Sequence, residues 1–271
     1  MNQAPQSGAH QSDQSSQFPK RDWHRGLRWF AAEITIVVAG VLIALALNAW
    51  WQKRQEARAE QRLVMALLGE FSANQPKLTA IRAFHEDLKD TGRTLLAIAA
   101  ADRADLPADS IDQLLANVTW WASYTTLESS VLDAAIQDGR LGLLQTDSLR
   151  RLLTGWRSEV QSAAAQSSQE YSHYADTWLP LLRAEADIAQ ISNRAETIPG
   201  GNEPYQGAPV PLVATRTDHR ALIQTRAFRN ALMQKLWIED DVLYQYGRLE
   251  ELMLRIINAL SNETERVPSQ Q

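Results

Sequence analysis

Twenty consecutive residues, Phe30 to Ala49, hold one charged side chain, Glu33, and two other polar ones, Thr35 and Asn48; the rest are apolar or small. At about 1.5 Å per residue a helix over this run is roughly 30 Å long, which matches the hydrocarbon thickness of a bilayer. Trp29 stands before it and Trp50 and Trp51 after it, where indole rings settle at the headgroup layer. The run therefore predicts a transmembrane helix over 20–51 with its flanks, and the lipid bilayer as first partner. No second run of this kind occurs in the 271 residues, so the expectation is a single-pass chain with one soluble domain of about 200 residues.

A cleaved signal peptide is the competing reading of an early apolar run. Signal h-regions are about 7 to 15 residues long and end at small residues, whereas this run leads into two tryptophans and a charged stretch, so an uncleaved signal anchor is expected. Lys20, Arg21, Arg25 and Arg28 precede it and Lys53, Arg54, Arg58 and Arg62 follow it. This balance leaves little for the positive-inside rule to act on. Translocating a short tail with four cations is unfavourable, which points to a cytoplasmic N-terminus and a domain outside the cytoplasm.

Residues 1–19 are rich in Gln, Ser and Asp and read as a disordered tail. The segment 52–75 reads as a charged helical stalk that starts to pack at Val64, Leu67 and Phe71. Asn74 with Pro76 is the signature of an N-cap and first turn, so a new helix is expected from there to about Ala101. Its seam is Ile81, Phe84, Leu88, Thr91, Leu95 and Ile98, at the alternating spacing of a bundle face. A short helix over 110–118 and another over 127–138 follow, the second capped by Thr126 and ended by Gly139. A long helix from Thr146 carries Leu149, Leu152, Trp156, Val160, Ala163, Ser167, Tyr174, Trp178 and Leu181 on one face, and Pro180 should kink or end it.

Residues 198–213, with four prolines and three glycines, read as an irregular loop. A last helix over 217–262 repeats Val242, Tyr246, Leu249, Met253, Ile256 and Leu260, leaving 263–271 as a tail. No strand-like alternation extends beyond four residues. The fold class is thus all-α: an N-terminal transmembrane helix continuing into a stalk, then an antiparallel helical-bundle-like domain over 76–262.

The absence of cysteine excludes disulfides, thiolate catalysis and Cys-ligated metals. A net charge of −5 without a basic block leaves no nucleic-acid footprint. No Ser-His-Asp arrangement, phosphate-cradling glycine loop or HExxH sequence is present, so no enzyme, cofactor or metal is expected.

Glu33-Ile-Thr-Ile-Val-Val-Ala-Gly40-Val-Leu-Ile-Ala44-Leu-Ala-Leu-Asn48-Ala-Trp50 resembles the opening of a family of bacterial single-pass membrane proteins catalogued as a domain of unknown function. That family has an early glutamate, a Gly-Val-Leu-Ile-Ala core and an Asn-x-Trp exit. Leu127 to Leu144, Asp147 to Arg150 and Ala227 to Leu232 resemble it too. The resemblance implies a helical domain anchored in the bacterial inner membrane and supplies no activity.

Within the run, Glu33, Val37, Gly40, Ala44 and Asn48 share one helix face. Gly40 and Ala44 make a small-xxx-small pair and Asn48 offers a hydrogen bond, a pattern suited to pairing with itself or with another membrane protein. Trp120, Trp121 and Tyr124 form an aromatic cluster suited to a pocket or a partner surface. Glu170 and His173 have the Glu-x-x-His spacing of helical di-iron proteins, but in one copy where two are needed, so a solvated face is expected. His85 and His219 read as lone histidines, and Glu239, Asp240 and Asp241 as a solvated acidic run. The leading functional expectation is an interaction or scaffold protein, and the alternative a ligand-binding, sensory-type bundle.

Overall fold

The protein is described by a computed structural model covering residues 23–101, 106–119, 127–194 and 216–266, and among these every regular element is helical. The chain divides into two compact units, 1–55 and 56–271. In the first, the described side chains from Glu33 onward are exposed. Ile36, Val37, Leu42, Ile43, Leu45 and Leu47 are each more than half exposed, and Arg54 sits 5.5 Å from the centre of the Trp50 ring as a cation–π pair.

The helix holding the apolar run, α1, extends over Trp23–Ala101 and passes through Pro76 without a break. The expected boundary at Asn74 is absent. Phe71, Leu78 and Ile81 on either side of the proline are all buried, and this packing outweighs the one backbone hydrogen bond that proline forfeits. Asn74 is not a cap. Its amide Nδ2 donates to the Glu128 carbonyl at 2.7 Å and its Oδ1 accepts from the Glu128 N–H at 2.8 Å, so one buried side chain pairs both backbone groups of a residue just before the helix that starts at Ser130. The segment predicted as a stalk belongs to the core from Glu60 onward, with Leu63, Val64, Leu67 and Phe71 buried.

Three long helices make the framework of the second unit: the later part of α1, α4 (Asp147–His173) and α8 (Arg226–Arg266). Residues 60, 71 and 85 of α1 lie level with 145, 156 and 170 in or just before α4, so these two helices run parallel at a constant offset. The α8 helix runs against both. Arg82 meets Glu250 at 2.5 Å, Lys89 pairs with Asp240, and Arg248 meets Glu159 at 2.5 Å. The α8 helix packs closely on α1 at Gly92: a Cβ added there would meet Leu236 Cδ2 at 2.7 Å. The seam predicted on α8, Val242 to Leu260, is buried throughout.

Short elements close the ends. Helix α2 spans Ala108–Thr119 and α3 spans Ser130–Gln137. Gly139 follows α3 with φ +67, the left-handed conformation that a helix-ending glycine takes at no steric cost. The start of α3 is capped from α1, because Glu70 accepts from the N–H groups of Val131 at 2.6 Å and Leu132 at 3.1 Å. A carboxylate there also meets the positive end of the helix dipole.

Pro180 does not end the long helix. A π turn over Tyr174–Trp178 precedes it and α5 continues over Leu179–Glu185, the widened turn taking up the missing N–H. Helix α6 spans Ile188–Ser192, capped by the Asp187 side chain, and α7 spans Arg220–Gln224. The last predicted helix is broken at Thr225, whose extended backbone (ψ 145) and hydroxyl, accepting from the Phe228 N–H at 3.1 Å, start α8 afresh.

Candidate functional site

Each of the three long helices carries an apolar seam that is interrupted by ionisable residues at one common level. On α1 the interruption is His85, on α4 Glu170 and His173, on α8 Lys235 and Glu239, and all five are buried. His85 Nδ1 lies 2.6 Å from Glu239 Oε2, and Lys235 Nζ lies 3.4 Å from Glu239 Oε1. Glu170 interacts with the same carboxylate. One potential ligand atom each from His85, Glu170 and Glu239 fall within 4.8 Å of one another. Tyr246 covers the imidazole of His85, ring centres 5.5 Å apart, and His85 Nε2 is buried without a hydrogen-bond partner.

The electrostatics follow from this packing. Burial alone drives the Glu239 carboxyl toward its neutral form, but the His85 bond and the Lys235 ammonium outweigh it and hold the group below the usual carboxylate range. Burial pulls His173 below the ordinary imidazole value. The Lys235 charge adds to this, while the Ala231 backbone and Glu239 act in the opposite direction. The cluster thus combines two carboxyl groups, an ammonium and two imidazoles, all buried.

These positions correct three expectations. Glu170 and His173 are not on a solvated face, because the α4 seam, continued from Ala163, turns them inward. Glu239 is likewise buried whereas its neighbours Asp240 and Asp241 are exposed; consecutive helical residues diverge by about 100°, so only one of the three acids points inward. His85 is not alone but bonded to Glu239.

His219 belongs to a second polar cluster. Its Nε2 accepts from the Asp187 N–H at 3.0 Å, so the proton is on Nδ1, which donates to Asp112 Oδ1 at 2.7 Å. Gln190 Nε2 donates to Asp112 Oδ2 at 2.7 Å and to the Thr217 carbonyl at 2.9 Å. Arg216 Nη2 adds a contact to Asp112 Oδ2 at 3.1 Å. With each partner satisfied, this cluster is a clasp between α2, α6 and the segment leading into α7.

Glu33, Val37, Gly40, Ala44 and Asn48 are exposed, and Gly40 has open space beside it. The aromatic cluster Trp120, Trp121 and Tyr124 and the predicted loop 198–213 lie outside the described residues. Lys235 was not anticipated from the sequence. Stepping the α8 seam back from Val242 by three and four residues gives Glu239, Lys235, Leu232 and Phe228, and this register would have found it. No protein-family model, curated protein or solved structure matches the chain.

Proposed function

We propose that the chain is a single-pass protein of the bacterial inner membrane that acts through binding partners rather than through catalysis. The observation that carries this reading is the exposed apolar stretch of α1: it lies in a helix long and apolar enough to cross a membrane, and none of its most apolar window is buried. A soluble protein seldom exposes so large a continuous apolar surface, and Trp50 and Trp51 are spaced to meet an interface at its end. The resemblance of this segment to the bacterial single-pass family of unknown function points the same way. In this reading the N-terminus is cytoplasmic, the larger unit lies outside the cytoplasm, and Glu33, Val37, Gly40, Ala44 and Asn48 form the face that pairs with a second copy or another membrane helix.

Fractionation of cells with an alkaline carbonate wash tests the anchor. Retention in the membrane pellet supports it, and release with soluble proteins refutes it. A membrane two-hybrid assay tests the pairing face: Gly40→Ile should lower the self-association signal, and an unchanged signal removes that face from the proposal. The second reading, a ligand-binding bundle, is favoured by the buried His85–Glu239–Lys235 cluster, which places chemistry where an interaction protein has no need of it.

A further inference from the structure

We propose that His85, Glu170 and Glu239 bind one divalent transition-metal ion inside the bundle, with Lys235 supplying the positive charge of the site when no ion is bound. The inference is independent of the membrane reading. Its first ground is convergence: three helices bring one nitrogen and two carboxylate oxygens within 4.8 Å of one another. Ligand atoms around a tetrahedral ion with bonds of about 2.0 to 2.2 Å stand roughly 3.4 Å apart, so rotamer adjustments of about an ångström complete the set.

The second ground is burial. His85, Glu170 and Glu239 are 1 %, 1 % and 0 % exposed, and His85 presents Nδ1 to Glu239 at 2.6 Å, so the donors face one another out of reach of bulk water, where charged groups demand a partner. The third is the donor chemistry. An imidazole with two carboxylates suits zinc, manganese or iron(II) rather than magnesium or calcium, which take oxygen ligands alone.

Lys235 gives the proposal its distinguishing signature. An ammonium 3.4 Å from Glu239 opposes a second cation at the same carboxylate, so ion binding must displace it. If the cluster serves an ion, removing Lys235 strengthens binding. If the cluster is only a buried salt bridge, removing Lys235 creates no site.

The test uses the full chain in detergent micelles, without a polyhistidine tag, freed of metal by chelation and titrated with ZnCl2 or MnCl2 by calorimetry. Co2+ serves as the spectroscopic probe, its d–d bands reporting nitrogen and oxygen ligation. One ion per chain is expected. Lys235→Met should tighten binding about tenfold or more, while His85→Ala and Glu239→Gln, each checked for retained helicity by circular dichroism, should weaken it by at least about a hundredfold, since even supporting residues around a metal are worth 10- to 100-fold. His219→Ala, in the separate clasp, should leave the affinity unchanged. Absence of binding by both the folded wild type and Lys235→Met overturns the proposal, as does binding that survives His85→Ala.

Discussion

Replacing Glu239 by glutamine removes the one charge on which the cluster converges while keeping its shape. The carboxylate is wholly buried, 2.6 Å from His85 Nδ1 and 3.4 Å from Lys235 Nζ. At an effective dielectric of about 20, a unit pair at the latter distance attracts by about 5 kcal/mol. Removing one partner of a buried pair costs about 3 to 5 kcal/mol, so both routes converge on a loss of about 4. A domain's whole stability is about 5 to 15 kcal/mol, and the loss corresponds to a fall in Tm of about 8 to 16 °C. Lys235→Met should cost a similar amount, because it leaves a buried carboxylate with half its support. Combining Lys235→Met with Glu239→Gln removes both charges while the glutamine oxygen can still accept from His85 Nδ1, leaving a loss of about 1 to 2 kcal/mol. Urea unfolding in the presence of a chelator measures all four corners of this cycle. The reasoning requires a double variant within about 2 kcal/mol of wild type and a coupling of at least about 3; single losses below about 1 kcal/mol, or a double loss equal to the sum of the singles, refute it.

Acidification should weaken the fold in two stages, because His173 and Glu239 both have depressed folded values. Each contribution is complete above the group's ordinary value, 6.5 for His173 and 4.5 for Glu239, and is lost as pH falls through the lower folded value. Urea midpoints between pH 7.5 and 4 should therefore start falling below about 6.5, and His173→Gln should delay the fall to the carboxylate range; a wild-type midpoint flat between pH 6.5 and 5 contradicts this. Glu70→Ala strips the acceptor from the first N–H groups of α3 and should cost about 1.5 to 3 kcal/mol, seen as faster hydrogen exchange at Val131 and Leu132; unchanged protection there contradicts the capping role. Trp156→Ala empties the contact where Trp156 meets Phe71 edge-on at 5.1 Å and should lower stability by about 3 to 5 kcal/mol. A loss under about 1 kcal/mol would mean that the space collapses or admits water.

Periodicity carried the helical framework because the long helices are amphipathic over many turns. The seams from Ile81 to Leu95 and from Val242 to Leu260 are the buried faces, and Gly139 ends α3 through a conformation only glycine adopts freely. The boundaries failed where a local signal competed with tertiary packing. Asn74 and Pro76 carry a valid start signal, yet the helix continues because Phe71 and Leu78 are already buried and the Asn74 amide has a better use against Glu128. Pro180 has a valid stop signal, absorbed by the π turn. Thr225 is the reverse case, a break with no proline or glycine to mark it, caused by one hydroxyl capping Phe228.

The candidate site was hidden for a different reason. Glu170 and His173 stood out by spacing, but spacing on one helix cannot tell an inward face from an outward one, and their neighbours Gln169, Tyr171 and Ser172 are polar enough to suggest water. The deciding sign was register. Continued without regard to polarity, the α4 seam reaches Glu170 from Ala163 and the α8 seam reaches Lys235 and Glu239 from Val242. A seam that stays in step through a charged residue implies that the charge is buried, and burial demands a partner. What no single helix reveals is that α1 and α4 keep one offset along their length, so that His85 falls level with Glu170 and the antiparallel α8 delivers Glu239 to both. A ligand set drawn from one residue per helix is therefore a property of helix pairing, and it becomes visible only once the three seams are laid side by side.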